Sequence, residues 1–326
     1  MKTEITVLMA VYNGEKYVRE AIESILSQTF KDFEFLIVDD GSDDSTPRIL
    51  AEYKDSRIKI VRNPKNIGLA ASLNTGIKLS SGKFIARQDA DDISMPERLE
   101  RQVSFIHNKK DIALVGTWVL TINSNGEKVD KVIYPCDDAT IRKNIVVRNQ
   151  FAHGSVMYRK GAVVSAGCYN ELFRFSEDYN LWLRLVEFGE AANIPEFLYK
   201  WRMAEPIFYS EKKIGEEMYC LLTRELFDER KKGNKANLQF LTPHWVEENL
   251  SLIKQQFGFK RRRTVSQFFC NWALKRFLKG DKVNARRYIR MALRNNPFSV
   301  QVYKNLLIIW IFGPLVTLQR KDSARE

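Results

Sequence analysis

Lys83-Phe84-Ile85-Ala86-Arg87-Gln88-Asp89-Ala90-Asp91-Asp92 is a short, mostly apolar run that ends abruptly in acid. It has the length and composition of a buried strand, and its acids begin where the strand should stop. The same design occurs earlier, where Phe33-Glu34-Phe35-Leu36-Ile37-Val38 leads into Asp39-Asp40-Gly41-Ser42. Ile5 to Ala10 reads as a further strand, followed by the turn Tyr12-Asn13-Gly14-Glu15, and Arg57 to Val61 as another. Helical spacing fills the gaps. Tyr17, Ala21, Ile22, Ile25 and Leu26 form one apolar face, and Ser45-Thr46-Pro47 opens a second helix with Ser45 as its hydroxyl cap. Gly68 to Leu79 forms a third. Met95-Pro96-Glu97 opens a fourth, with Leu99, Val103 and Ile106 facing inward. This alternation predicts an α/β fold with a mostly parallel sheet covered on both faces by helices. Ligands of such sheets bind beyond the carboxyl ends of the strands, so both acidic clusters are expected at one crevice.

Downstream, Ile112 to Trp118 and Lys128 to Ile133 flank Asn123-Ser124-Asn125-Gly126, the pattern of a hairpin. Phe175-Ser176-Glu177-Asp178 precedes a helix with Leu181, Trp182, Leu185 and Val186 inward. After Ser210 the signals turn helical: Glu211 to Lys232, a helix capped by Thr242-Pro243, and a run over Val265–Leu278, Lys282–Leu293 and Phe298–Ile309. The expected division is an α/β domain over residues 1–208, with halves at about 1–110 and 111–208, and a helical C-terminal region over 209–326.

Charge separates the same two parts. The chain of 326 residues carries a formal charge of +12, and residues 254–294 alone hold thirteen Lys/Arg against one Asp. Phe268, Phe269, Trp272 and Phe277 interleave with those cations, around Lys260-Arg261-Arg262-Arg263. Attachment to an anionic membrane surface is the expectation, with a solvated face on a helical subdomain the next reading and nucleic acid the weakest. The uncharged stretch Asn305–Gln319 holds 15 residues and a Pro, short of the roughly 20 that span a bilayer. No leader is expected from the short apolar run after Met1, so the expected location is cytoplasmic, peripheral on the inner membrane face. Four cysteines lie at least 32 residues apart and only three histidines occur, which argues against thiol-redox and zinc chemistry. Any divalent cation has to be held by oxygen.

Asp89-x-Asp91-Asp92 is the strongest chemical signal. Three carboxylates within four residues repel one another in a folded setting unless a cation neutralises them. Oxygen ligands leaving a strand suit Mg²⁺ or Mn²⁺, which share their shell with substrate phosphates. The bland alternative is an acidic turn favouring the start of the following helix. In the Asp39-Asp40 cluster, one carboxylate is placed to accept hydrogen bonds from a nucleobase or ribose. No G-x-G-x-x-G and no G-x-x-x-x-G-K-[ST] occurs, so NAD and P-loop readings lack their phosphate-cradling loops.

Ile5 to Asn13, Val38-Asp39-Asp40-Gly41-Ser42, Asn66-x-Gly68, Asn74-x-Gly76, Gly82 to Asp92 and Pro96-x-Arg98-Leu99 together resemble glycosyltransferase family 2. The resemblance continues through His153-Gly154-Ser155, Gly167-x-Tyr169, Ser176-Glu177-Asp178-Tyr179-x-Leu181-Trp182-x-Arg184 and Leu198-Tyr199, covering residues 4–205. It implies a GT-A fold and an inverting transfer of one sugar from a nucleotide donor, a UDP-sugar, to a glycan or polyprenyl-linked acceptor in surface-polysaccharide assembly. By matching motif, Ala10, Tyr12, Asp39, Asp40, Asn66 and Asp89 are similar to nucleotide-binding positions. Asp89 and Asp91 resemble the pair that holds Mn²⁺ or Mg²⁺, and Asp178 resembles the catalytic base. Glu177, His153, Arg202 and Trp182 fall at donor or acceptor contacts. A like charge on Glu177 is expected to raise the pKa of Asp178. The sequence departs from the family at Trp201-Arg202-Met203-Ala204, where Ala204 stands in place of a frequent His; Arg202 is still expected to reach the diphosphate. A loop over Glu205–Lys213 is a candidate to close over the donor. A processive synthase is disfavoured, since the chain shows no Gln-x-x-Arg-Trp. A nucleotidyltransferase would carry a Gly- and Arg-rich loop where Tyr12 to Glu15 stands, and a non-catalytic module would not need intact Asp40, Asp91 and Asp178.

Overall fold

The computed structural model describes residues 3–203, 211–233, 241–253 and 300–311, with scattered positions between 270 and 293. Its sheet is built from β1 (Ile5–Val11), β2 (Phe33–Asp39), β3 (Ile58–Arg62), β4 (Phe84–Asp89), β5 (Ile93–Ser94), β6 (Ile112–Ile122), β7 (Lys128–Val132), β8 (Met157–Arg159) and β9 (Glu190–Arg202). They lie in the order β3-β2-β1-β4-β8-β6-β9-β5, with β7 paired to β6. The first four are mutually parallel, β8 runs against its neighbours, and β6 and β9 are parallel again. The expected mostly parallel sheet is present, and β6 and β7 form the expected antiparallel hairpin.

The apolar strands follow from helices on both faces. Successive side chains of a strand point to opposite sides. Ile5, Val7, Met9 and Val11 accordingly enter a core shared with α1 (Val18–Leu26), α2 (Thr46–Glu52) and α4 (Arg98–Asn108). Leu8 and Ala10 enter the opposite core, shared with α3 (Leu69–Leu79), α5 (Asp138–Ile145), α6 (Lys160–Ser165) and α7 (Glu177–Leu185). Every residue of β1 and β2 is buried, and exposure begins just past β1, at Tyr12 and Asn13. Helix α2 begins at the expected place by a different device. The Ser45 side chain makes no cap; the Asp44 carboxylate accepts from Thr46 N at 2.8 Å and Glu15 from Ser45 N at 2.9 Å.

The chain forms two compact units, Met1–Val246 and Glu247–Glu326. The expected boundary at 208 therefore falls inside the first unit. Helix α8 (Glu211–Lys231) packs on α7, and its Phe227 joins the core that also holds Trp182 and Leu185, so a helical pattern alone did not mark a separate domain. In the second unit Cys270, Ala273, Phe277, Ala285 and Val302 are buried, and Asn305 donates to the Cys270 carbonyl at 3.3 Å. No helix among the described residues is long and apolar enough to cross a membrane. Ala204, most of the Glu205–Lys213 loop, the Lys260–Arg263 cluster and most of the basic run lie outside the described residues.

Candidate active site

Parallel pairing sets Ala10 opposite Asp89 and Val11 opposite Asp39. The two acidic clusters thus leave the sheet on either side of β1, where the strand order reverses, the position at which ligands of such sheets bind. Tyr12 follows β1 and is 48% exposed, a flat ring at that edge. Asp39 and Asp40 are buried, and both turn inward. Asp40 accepts from Asn63 Nδ2 at 2.8 Å, from Ile67 N at 3.0 Å and from Gly68 N at 2.9 Å, fastening the exposed Asn66 loop. Asp39 accepts from Ser42 N at 3.0 Å and pairs with Arg62 at 3.3 Å. Both acids, expected at the nucleotide, shape the edge through these bonds, and neither lines the cavity of Asp178. Ala10 is likewise buried, near the end of β1 before Tyr12.

On the other side of β1, the fully buried Arg87 pairs with Asp89 at 2.6 Å. Gln88 Nε2 donates to the carbonyls of Asp89 and Asp92, stapling the acidic turn. Asp92 is buried and accepts the Arg202 backbone N–H at 2.6 Å. Asp91 is exposed beside them; crowding by protein and the charge of Asp89 push its carboxyl up to about 6. Arg202 does not reach outward as expected. It is buried, donates to the carbonyls of Asp91, Asn123 and Ser124 and to Glu20, and lies over the Tyr17 ring. Its work is to clamp the turn that carries Asp91.

Asp89 and Asp91 fit a hard divalent cation. They are two oxygen donors at one strand end, in a cluster whose carboxyls are held uncomfortably close, as the raised Asp91 and Asp92 show. No group of three or more His, Cys, Asp or Glu among the described residues forms a full cage. Mg²⁺ commonly uses one or two carboxylates and takes its other ligands from phosphates and water.

Asp178 lies in the first turn of α7. It accepts from Asn149 Nδ2 at 2.7 Å and from its neighbour Tyr179 N at 2.6 Å. With Asp89, Asp92, Tyr134, Asn149, His153 and Trp201 it lines a cavity of about 280 Å³. Burial raises the Asp178 carboxyl against those two hydrogen bonds, and the Asp89 charge adds to the rise. The expected push from Glu177 is not its main cause. Glu177, also raised by burial first and by Asp178 second, faces a different cavity, of about 660 Å³, with Asn66, Arg174 and Phe175. His153 bonds Tyr169 at 2.9 Å; burial and the nearby Arg87 hold its imidazole neutral, with a pKa down at about 3. Trp182, expected at a substrate contact, is wholly buried and backs His153, Phe151 and Tyr169 edge-on. Asn149, Tyr134 and Arg87 were not among the expected site residues. A Gln-flanked Asn in a loop carries no local signal, and its partner lies 29 residues away.

Gly154 shows how tightly the cavity is drawn. A Cβ there would stand 1.9 Å from the Tyr199 hydroxyl and 2.6 Å from Asp89 Oδ2. Gly154→Ala should lower the unfolding free energy by about 1–3 kcal/mol, read from urea titrations, because both neighbours must shift. An unchanged midpoint would mean that the wall yields freely.

Residues 6–163 match the family model for glycosyl transferase family 2. The chain is 39% identical over 194 residues to the O-antigen biosynthesis glycosyltransferase WbnJ of Escherichia coli, covering 58% of this chain and 74% of that protein. It is 30% identical over 210 residues to the UDP-Glc:alpha-D-GlcNAc-diphosphoundecaprenol beta-1,3-glucosyltransferase WfgD of the same species, covering 64% and 80%. Among solved structures, S. aureus TarS 1–349 in complex with UDP-GlcNAc superposes with a TM-score of 0.58 at 18% identity, over 96% of this chain and 92% of that one. At that identity the likeness shows the fold.

Proposed function

Because this chain belongs to glycosyltransferase family 2, we propose that it moves a single sugar from a UDP-sugar to a hydroxyl of a glycan or lipid-linked acceptor in cell-surface polysaccharide synthesis, inverting the anomeric centre. The observation that carries this reading is the meeting of Asp178 and Asp89 in one cavity at the carboxyl edge of the sheet. The names of the O-antigen and lipid-diphosphate relatives support the acceptor class and the UDP donor.

The nucleoside docks at the edge bounded by Tyr12 and the Asn66 loop that Asp40 secures. Asp178 takes the proton of the acceptor hydroxyl as that oxygen forms a bond to the anomeric carbon and the bond to the diphosphate breaks. One such displacement inverts configuration. Asn149 holds the carboxylate in place, and the raised pKa brings its basicity closer to neutral pH. Neutral His153 adds no charge to the cavity. Asp91 and Asp89 would hold the divalent cation, which supplies charge neutralisation for the departing diphosphate. Arg202 keeps the Asp91 turn rigid, and Arg87 orients Asp89.

A thermal-shift series with UDP, UDP-Glc, UDP-GlcNAc and GDP-mannose, with and without Mn²⁺, tests the reading. A ligand at about 100 times its Kd adds about 2.7 kcal/mol to the folded state, a rise of several degrees. The expected result is such a rise for UDP and at least one UDP-sugar, larger with Mn²⁺. No response to any uridine nucleotide would sink the proposal.

A further inference from the structure

We propose that Trp201 is the platform on which a neutral pyranose ring of the acceptor stacks, within the cavity of Asp178; this rests on the reading of Asp178 as the base. Trp201 is 44% exposed and lines that cavity together with Asp89 and Asp178. Its exposure does not come from a loose strand end. Tyr199 and Arg202 on either side of it along β9 are buried. Trp201 itself pairs opposite Thr121, and the next residue's N–H is held by Asp92 at 2.6 Å. The Arg202 guanidinium, bonded to the Asp91 and Asn123 carbonyls, anchors the strand further. A large ring on an anchored strand is therefore presented to water in the cavity of Asp178.

The donor sugar is steered by its charged diphosphate. An acceptor ring offers only hydroxyls and a C–H face, so orienting it calls for an aromatic surface on one side and a polar group on the other. Trp201 supplies the first and Asp178 the second. Among the described residues the lining carries Asp89, Asp92 and Asp178 and no Lys or Arg; Asp89 is paired by Arg87, and a uronate or a phosphorylated sugar placed against Asp178 would meet like charge.

Saturation-transfer NMR on the full chain with UDP and Mn²⁺ tests this, using methyl glycosides of glucose, galactose, N-acetylglucosamine and glucuronic acid, and acyclic glucitol. At least one neutral glycoside should show saturated ring C–H protons, while the glucuronide and glucitol do not. Trp201→Ala should weaken that glycoside about tenfold, and Trp201→Phe should keep most of the signal. UDP affinity by calorimetry should be unchanged in both. The inference is overturned if no neutral glycoside saturates although UDP binds, if the Ala variant keeps its signal, if UDP affinity falls in parallel, or if the glucuronide binds as well as the glucoside. Failure of UDP to bind the unaltered chain would sink the donor reading, and this inference with it.

Discussion

Asp178→Asn is expected to lower sugar transfer about 10²–10⁴-fold, the range spanned by loss of a general base, with UDP-sugar affinity unchanged. The substitution keeps the size of the side chain and one acceptor oxygen, so the Tyr179 N–H can stay satisfied. It cannot take a proton. The carboxylate stands in the cavity with Asp89, and burial lifts it above the ordinary carboxylate range. Since the base works ionised, kcat/KM should rise with pH through that elevated range, and the Asn variant should lose this limb. Stability should move little. A carboxyl raised in the folded state costs stability as pH rises past its unfolded pKa, up to its folded one; removing it returns that cost. Against this stands one weakened hydrogen bond from Asn149, worth about 1 kcal/mol. Initial rates across pH, calorimetry with the donor and thermal unfolding provide the readouts. Transfer at the normal rate by Asp178→Asn would remove Asp178 as the base, and weakened donor binding would reassign it to the donor.

Asp91→Ala should cut transfer about 10²–10³-fold, the effect of losing a group that stabilises charge developing at the leaving end. A second readout separates a cation ligand from a structural acid. The Asp91 carboxyl is pushed up to about 6, so in the cation-free protein its charge opposes folding. Stability therefore falls as pH rises from the ordinary carboxylate range to about 6 and stays lowered above it. At neutral pH the cation-free Ala variant should melt no earlier than the unaltered chain. The extra rise in Tm that Mn²⁺ confers on the UDP complex should disappear. A full Mn²⁺-dependent rise in the variant would place the cation elsewhere, and a large loss of stability without Mn²⁺ would make Asp91 a structural residue.

Local pattern determined a good deal about this protein. Apolar runs such as Ile5 to Ala10 and Phe33 to Val38, broken by helical spacing, specify strands buried on both faces, because only a sheet between two helix layers has use for both sides of a strand. The placing of Asp39-Asp40 and Asp89-x-Asp91 at the ends of those runs follows from where hydrophobicity stops. The order of the motifs named the family, and the start of α7 at Glu177-Asp178 was legible from its acids and the apolar spacing that follows. These are signals carried by neighbours a few residues apart.

Tertiary structure alone decided what each polar group faces. Arg202 looked like an outward cation and is a buried clamp, because carbonyls from residues 91, 123 and 124 converge on it. Trp182 proved to be core, the Asp40 carboxylate is held by the backbone N–H groups of Ile67 and Gly68, and α8 is part of the first compact unit. Glu177 and Asp178 are adjacent in sequence yet face separate cavities, because consecutive helical residues point about 100° apart. Asn149 and Trp201 enter the site from a loop and from the end of a long strand. Their importance depends on distances between parts of the chain that no local period encodes, since a hydrogen bond or a cavity wall is made by proximity in space.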